Sequence, residues 1–236
     1  MSALAGRRIL LTGVSRGVGF ETAKLFLREG AEILGVARDP ERLERVRREL
    51  DPDGGRLTVL AADLGERDAP ARIAHAVERR FEGLDVLFSN AGVQIDGAVK
   101  GIAAVSDATI EQAFDVNFWA PYRLARALLP ALRRGREPRL VNVSSGAGNF
   151  ESMRMVDIPS YRISKWALNG LTMLLAAELR GAVAVNAFDP GWVKTDLGGS
   201  NAPGHPRESA VGALAIVTMP FSETGKFWKD GQEIPF

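Results

Sequence analysis

Cysteine does not occur among the 236 residues, which excludes disulfides, thiolate nucleophiles and thiolate-ligated metals. Histidine is nearly missing as well. His75 and His205 are the only two, far apart and with no ligand cluster near either, so both read as surface residues and no metal is expected. A dominant charge of one sign is lacking: 30 Lys and Arg face 29 Asp and Glu, a formal net charge of +1. That balance gives no reason to expect a nucleic acid or an anionic membrane as partner. The arginines at Arg45, Arg47, Arg48, Arg133 and Arg134 lie on helix-like stretches and read as solvated faces. Long apolar runs are missing too; none approaches the ~20 residues of a membrane span. The first six residues lack the apolar core of a secretory leader, so the expected location is cytoplasmic. Asn142-Val143-Ser144 fits a glycosylation pattern, but its apolar surroundings predict burial.

What is present is ordinary globular composition, 46% hydrophobic and 25% charged, with no repeat or low-complexity tract. Short β-rich runs at 8–12, 32–37, 57–61, 84–89, 140–144, 183–188 and 225–228 alternate with helical patterns. The helical stretches are 19–28, 40–50, 68–81, 109–133, 159–179 and 207–219. Apolar strands linked by helices predict an α/β fold, a Rossmann-type doubly wound parallel sheet of about seven strands with helices on both faces. No linker divides it, so 1–236 reads as a single dinucleotide-binding domain, and the Gly/Pro-rich stretch 198–206 reads as a mobile loop.

Two features carry chemistry. Tyr161 and Lys165 stand at i and i+4 in a helical stretch, so they share a face. A phenol of pKa about 10 is a poor proton carrier at neutral pH, but a fixed cation beside it favours the phenolate. Lowering it by about three units takes about 4 kcal/mol, which a close Lys and a second positive group can supply.

The second feature follows the first strand: Thr12-Gly13-Val14-Ser15-Arg16-Gly17-Val18-Gly19, opening a helix. Glycines at such a turn let the backbone approach a pyrophosphate seated at the helix N-terminus, although the Gly-x-x-x-Gly-x-Gly spacing differs from the general fingerprint. Gly13, Ser15, Arg16, Gly17, Val18 and Gly19 are therefore the candidate cofactor loop. The second strand ends at Ala37-Arg38, where an Arg accommodates a 2′-phosphate and an acid would bind a free ribose hydroxyl. Asp39 precedes Pro40 and reads as a helix cap rather than that acid. NADP is expected ahead of NAD.

With these residues in hand, the chain resembles the single-domain branch of the short-chain dehydrogenase/reductase family over nearly its whole length. Ala62-Asp63-Leu64 resembles the family's adenine-binding element, and Asn90-Ala91-Gly92 its Asn-Ala-Gly motif, with Ser89 where a first Asn is common. Asn117, and Ser145 at the end of Val141-Asn142-Val143-Ser144-Ser145, match its catalytic Asn and Ser. Asp189-Pro190-Gly191-Trp192-Val193-Lys194-Thr195-Asp196 is similar to the loop that holds the nicotinamide carboxamide, which implies contacts from Pro190, Gly191, Val193 and Thr195. That loop, the Tyr161–Asn169 run and the ending Thr224 to Gly231 most resemble carbonyl-reductase-like members.

The resemblance implies NADPH-dependent reduction of a ketone or aldehyde, with a small carbonyl or alcohol as partner. Tyr161 would be the general acid, Ser145 would hydrogen-bond the substrate oxygen, and Lys165 would hold the nicotinamide ribose. Asn117 would position a water linking Lys165 to solvent. A homodimer or homotetramer through the helices at 109–133 and 159–179 is also implied. Segments 93–106, 146–158 and 192–206 are expected to form the substrate mouth, with Gln94, Phe150 and Trp192 as pocket candidates. Ser145 and Tyr161 lie further apart than is usual in the family; the extra residues, within 149–158, read either as a pocket wall or as a tolerated surface insertion. Two rivals stay open. A 3-ketoacyl thioester reductase would want basic residues at the mouth, which Val93-Gln94-Ile95-Asp96 does not supply. A non-catalytic dinucleotide sensor would be expected to lack Ser, Tyr or Lys.

Overall fold

Each of the seven apolar runs forms a strand in the computed structural model, which describes residues 2–236. The strands are β1 (Arg8–Thr12), β2 (Glu32–Ala37), β3 (Leu57–Ala61), β4 (Val86–Ser89), β5 (Arg139–Val143), β6 (Ala184–Phe188), β7 (Phe227–Lys229) and β8 (Gln232–Ile234). The helices are α1 (Gly17–Arg28), α2 (Pro40–Leu50), α3 (Ala69–Arg80), α4 (Asp107–Phe114), α5 (Ala120–Arg133), α6 (Pro159–Glu178) and α7 (Pro206–Thr218). The sheet order is β3-β2-β1-β4-β5-β6-β7-β8, parallel from β3 to β7. The order reverses direction between β1 and β4, which opens a crevice at the carboxyl ends of the strands.

Both faces are covered. Ile73, Val77, Leu124, Leu128 and Leu132 pack one face. Phe26, Leu27, Leu43, Val46, Ile216 and Val217 pack the other. Asp39 caps α2 as expected, its Oδ1 accepting from the amides of Glu41 and Arg42 at 3.0 Å each. Asn142 is fully buried and donates to the Thr172 hydroxyl at 3.0 Å, so the glycosylation pattern is inaccessible. No helix of the described residues is long and apolar enough to cross a membrane.

Three departures have physical reasons. An eighth strand, β8, pairs antiparallel with β7 across Asp230-Gly231, both at positive φ (49° and 75°). That dipeptide suits the tight turn of a two-residue hairpin, a signal the reading of the last strand overlooked. The helix expected at 109–133 begins at Asp107, where Ser106 caps it, and is interrupted by a π turn, Asp115–Trp119. The wider turn carries Asn117 inward, where its side chain is satisfied by partners on two other segments. The 198–206 stretch is pinned rather than loose: Val193 and Gly204 form a parallel bridge, and His205 and Glu208 make a reciprocal capping box at the start of α7.

Candidate active site

β1 and β4 end side by side, and their carboxyl termini are tied together by Thr12. Its hydroxyl accepts from the amides of Asn90 and Ala91 at 3.0 Å each, while Asn90 Nδ2 donates to the Thr12 carbonyl at 2.9 Å. The closeness requires glycine. A Cβ on Gly13 would lie 2.7 Å from Asn90 Nδ2, and one on Gly19 only 2.2 Å from the Gly13 carbonyl oxygen. α1 then begins at Gly17, with Arg16 at its cap offering no side-chain hydrogen bond and no acidic residue in its first turn. Ser15 and Val18 flank the same turn. The positive end of a 12-residue helix is thus left bare at the crevice, which fits a pyrophosphate. Thr195 closes over the loop: a Cβ on Gly17 would meet its Cγ2 at 3.0 Å.

Just after β3, Asp63 accepts from the Gly65 amide at 3.0 Å and Leu64 is buried. Arg38 is exposed at the end of β2, and its guanidinium has no partner among the described residues. Arg16 differs: it is ion-paired with Asp196 of the 190–196 loop, a partner the sequence did not suggest.

Four predicted residues converge at the ends of β5 and α6. Lys165 Nζ lies 5.7 Å from the Tyr161 ring centroid and donates to the Val143 carbonyl at 2.7 Å. The half-buried Ser145 hydroxyl stands beside the Tyr161 phenol, whose pKa it lowers, and accepts from the Ala147 amide at 3.1 Å. Asn117 grips both backbone groups of Val93 at 2.9 Å and donates to the Ser164 hydroxyl at 3.0 Å. Gly92 separates Asn117 from Lys165; a Cβ there would stand 3.3 Å from Asn117 Oδ1 and 3.4 Å from Lys165 Nζ.

The electrostatics correct one expectation. Burial pushes the Tyr161 phenol up to about 12, against the Ser145 hydrogen bond, and the Asp189 charge adds to the rise. The same burial pulls Lys165 down to about 8, opposed by Asp189. A close Lys together with a second positive group predicted a lowered phenol; in the chain by itself, without that second group, desolvation acts the other way and wins.

Among the pocket candidates, Gln94 is half-buried beside the clamped Val93. Trp192 is 61% exposed, its indole N–H bonded to the Gly198 carbonyl at 2.7 Å. Phe150 is 66% exposed, and its amide donates to the Phe236 carbonyl at 3.3 Å, so this candidate lies against the last residue of the chain. The longer 149–158 segment makes a 3₁₀ turn at Glu151–Arg154 and is tied to α6 by an Arg162–Asp157 ion pair at 2.6 Å. Pro190 accepts from the Ser209 hydroxyl at 2.6 Å, Gly191 holds φ at 77°, and Val193 is buried. Two acids were given no role from sequence. Asp189 is 5% exposed, bonded to the Gly191 amide at 2.9 Å and 3.7 Å from Lys229 Nζ. Asp96 is bonded to the first amides of α6, 64 and 65 residues away, and no local pattern announces contacts so remote.

Comparison with known proteins identifies the family and the fold. The short chain dehydrogenase family profile matches residues 7–205. A short chain dehydrogenase of Pseudocercospora fijiensis is 32% identical over 197 residues, 83% of this chain and 62% of its own length. The chain thus spans about three-fifths of that relative. An NADPH-dependent pterin aldehyde reductase of Arabidopsis thaliana is 31% identical over 196 residues, 83% of this chain and 78% of its own. The crystal structure of NADPH-bound carbonyl reductase from chicken fatty liver superposes with a TM-score of 0.89 at 26% identity, over 99% of this chain and 100% of that one.

The buried lysine makes stability depend on pH. Its proton is held with a pKa of about 8 in the fold and 10.5 ordinarily, so between those values the unfolded chain binds more protons and stability rises with pH. Tyr161 acts oppositely only above 10, where its raised phenol loses its advantage. Urea unfolding of the cofactor-free protein between about pH 8 and pH 10 should therefore show wild type gaining about 2–3 kcal/mol relative to Lys165→Met. Parallel curves for the two proteins would refute the buried-lysine assignment.

Proposed function

The chain belongs to the short-chain dehydrogenase family, and from that premise we propose that it is an NADPH-dependent oxidoreductase reducing a ketone or aldehyde to an alcohol, reversibly. The observation that carries this reading is the meeting of Tyr161, Ser145 and Lys165 on the same sheet edge as an uncapped, acid-free helix N-terminus. Its likeness to an NADPH-bound carbonyl reductase and to an NADPH-dependent aldehyde reductase supports the choice of cofactor and substrate class.

Gly13, Ser15, Gly17, Val18 and Gly19 hold the pyrophosphate, Arg38 the 2′-phosphate, and Asp63 with Leu64 the adenine. Asn90, Ala91 and Gly92 form the wall beside the ribose, and Pro190, Gly191, Val193 and Thr195 hold the nicotinamide end. When bound, the cofactor supplies the hydride. Tyr161 gives its proton to the carbonyl oxygen, and a phenol raised by burial keeps that proton at neutral pH. Ser145 donates a hydrogen bond to the same oxygen and steadies its developing charge. Lys165, still protonated at pH 7, holds the ribose, and Asn117 orders a water beside it as the return path for protons. Segments 93–106, 146–158 and 192–206 form the mouth. Their exposed Val99, Ile102, Met155, Val156 and Trp192 suit an aliphatic or aromatic carbonyl compound.

The active form is an oligomer of this chain. On α6, Ile163, Trp166, Met173 and Leu174 are all exposed, at spacings that form one helix stripe, and Leu174 reaches 73%. Exposed Trp119 and the aromatic stack of Phe118 on Tyr122 carry the apolar surface to the start of α5. An apolar surface of this kind is covered by a second copy.

Four outcomes follow. NADPH oxidation across a panel of aldehydes, ketones and 3-ketoacyl thioesters should be fastest with simple carbonyl compounds. In that assay Tyr161→Phe should lose about 10²–10⁴-fold in kcat and still bind NADPH, and wild-type turnover in the variant would sink the acid assignment. Arg38→Ala should weaken NADPH by about 2 kcal/mol, roughly 30-fold, and leave NADH unchanged; equal loss with both cofactors would remove the 2′-phosphate role. Light scattering should give a dimer or larger for wild type and a smaller species for Leu174→Glu, whereas a monomeric wild type would exclude the interface.

A further inference from the structure

The first turn of α6 has no cap of its own. Ile158, at the cap position, provides no side-chain acceptor and holds a left-handed φ of 43°, an outlier for a β-branched residue. Pro159 follows and has no N–H, so the first amides needing partners are those of Ser160 and Tyr161, both buried residues. Asp96 serves both. Its Oδ1 accepts from the Ser160 amide at 2.8 Å and its Oδ2 from the Tyr161 amide at 3.2 Å. Asp96 is 3% exposed and arrives from the segment after β4. A carboxylate at a helix N-terminus is also favoured by the helix dipole.

The other side of this turn is held as well. Arg162 donates Nε to the Asp157 carbonyl at 2.9 Å and pairs with the Asp157 carboxylate at 2.6 Å. Lys100 and Asp157 form an antiparallel bridge, and the Gly101 amide donates to the Val156 carbonyl at 2.7 Å. The strained entry at Ile158 is therefore fixed from both flanks; Asp96 grips the amide of Tyr161 itself, while the Ser164 hydroxyl donates to its carbonyl at 2.8 Å.

We propose that Asp96 is a positioning residue for Tyr161: its carboxylate clamps the Ser160 and Tyr161 amides and so holds the phenol in register with Ser145. This rests on Tyr161 being the proton donor. Asp96 needs no contact with substrate for the role, because a displacement of the acid by an ångström is enough to cost about 100-fold in rate. The clamp also makes the 93–96 segment and the first turn of α6 move as one body.

The test compares kcat, NADPH affinity and melting temperature in the full-length protein. Asp96→Ala should lose about 100-fold in kcat while NADPH affinity stays within about twofold. Its melting temperature should fall by about 2–4 °C. Asp96→Asn keeps an acceptor that caps helices as well as Asp does, so it should recover kcat to within about tenfold of wild type. Asp96→Ser, too short to reach both amides, stands in should the alanine variant not fold. Wild-type kcat in either the alanine or the serine variant, with only the melting temperature lowered, would make Asp96 a plain structural cap and overturn the proposal. Tyr161→Phe is run alongside. If it stays active the acid assignment itself fails, whereas an inactive Tyr161→Phe beside a fully active Asp96→Ala removes the Asp96 role alone.

Discussion

Helix α6 reaches β5 closely because nothing larger than hydrogen projects from Gly148. A Cβ there would lie 2.7 Å from both the carbonyl carbon and the Cβ of Lys165, and 2.9 Å from the Trp166 amide. The contact is bolted on either side. Asn169 donates to the Gly148 carbonyl at 3.0 Å, and Asn142, from inside β5, reaches Thr172 at 3.0 Å. With the helix seated this way, the Lys165 stem carries its ammonium to the last carbonyl of β5, and Tyr161, one turn earlier, meets Ser145. A wider separation would undo both encounters, the first of which spans a single hydrogen bond. The packing of a glycine against a backbone therefore sets the geometry on which the proposed chemistry depends.

That close packing also decides the electrostatics. A phenol and an ammonium removed from water both retreat toward their neutral forms, so burial raises Tyr161 and lowers Lys165. Asp189 pushes both upward, which protects the charge on Lys165 and reinforces the proton on Tyr161. Lys229, 3.7 Å away, partly neutralises Asp189 from the neighbouring strand. At neutral pH the result is a protonated phenol beside a charged lysine. Burial reinforces the proton already on Tyr161, whereas the charge on Lys165 persists against burial with the help of Asp189.

Much of this was legible in the sequence, and what was not has a common cause. Strand positions follow from local apolar runs, and the glycine loop and the Tyr161–Lys165 pair are patterns within a few residues. Asp39 as a cap is equally local, and the structure has it in that role. The π turn at Asp115–Trp119 was invisible because apolar spacing through 109–133 is that of an uninterrupted helix; only Asn117's partners on Val93 and Ser164 reveal what the extra residue achieves. The Arg16–Asp196 pair spans 180 residues, and the Asp96 contacts span 64 and 65. Neither separation leaves a periodic trace. The direction of the Tyr161 shift was missed for a related reason, since burial depends on everything packed around a group and not on its sequence neighbours.

The segment just after β4 gathers these long-range ties. Val93 is gripped through both its amide and its carbonyl by Asn117, and Asp96, three residues on, grips α6. Within four residues the strand end, the π turn and the first turn of α6 are locked to one another. Immediately beyond lies Gly97, exposed and at a φ of 59°, with open space where a side chain would stand. From there the chain becomes the exposed segment that carries Val99 and Ile102. A backbone that is over-determined up to residue 96 and permissive at residue 97 separates two tasks. Strain introduced at residues 98 and 99 can relax at Gly97 before it reaches the Asp96 clamp, whereas Lys100 and Gly101 are themselves tied to residues 156 and 157 beside the start of α6. A change on the near side of Gly97 has no such outlet and is transmitted directly to Tyr161.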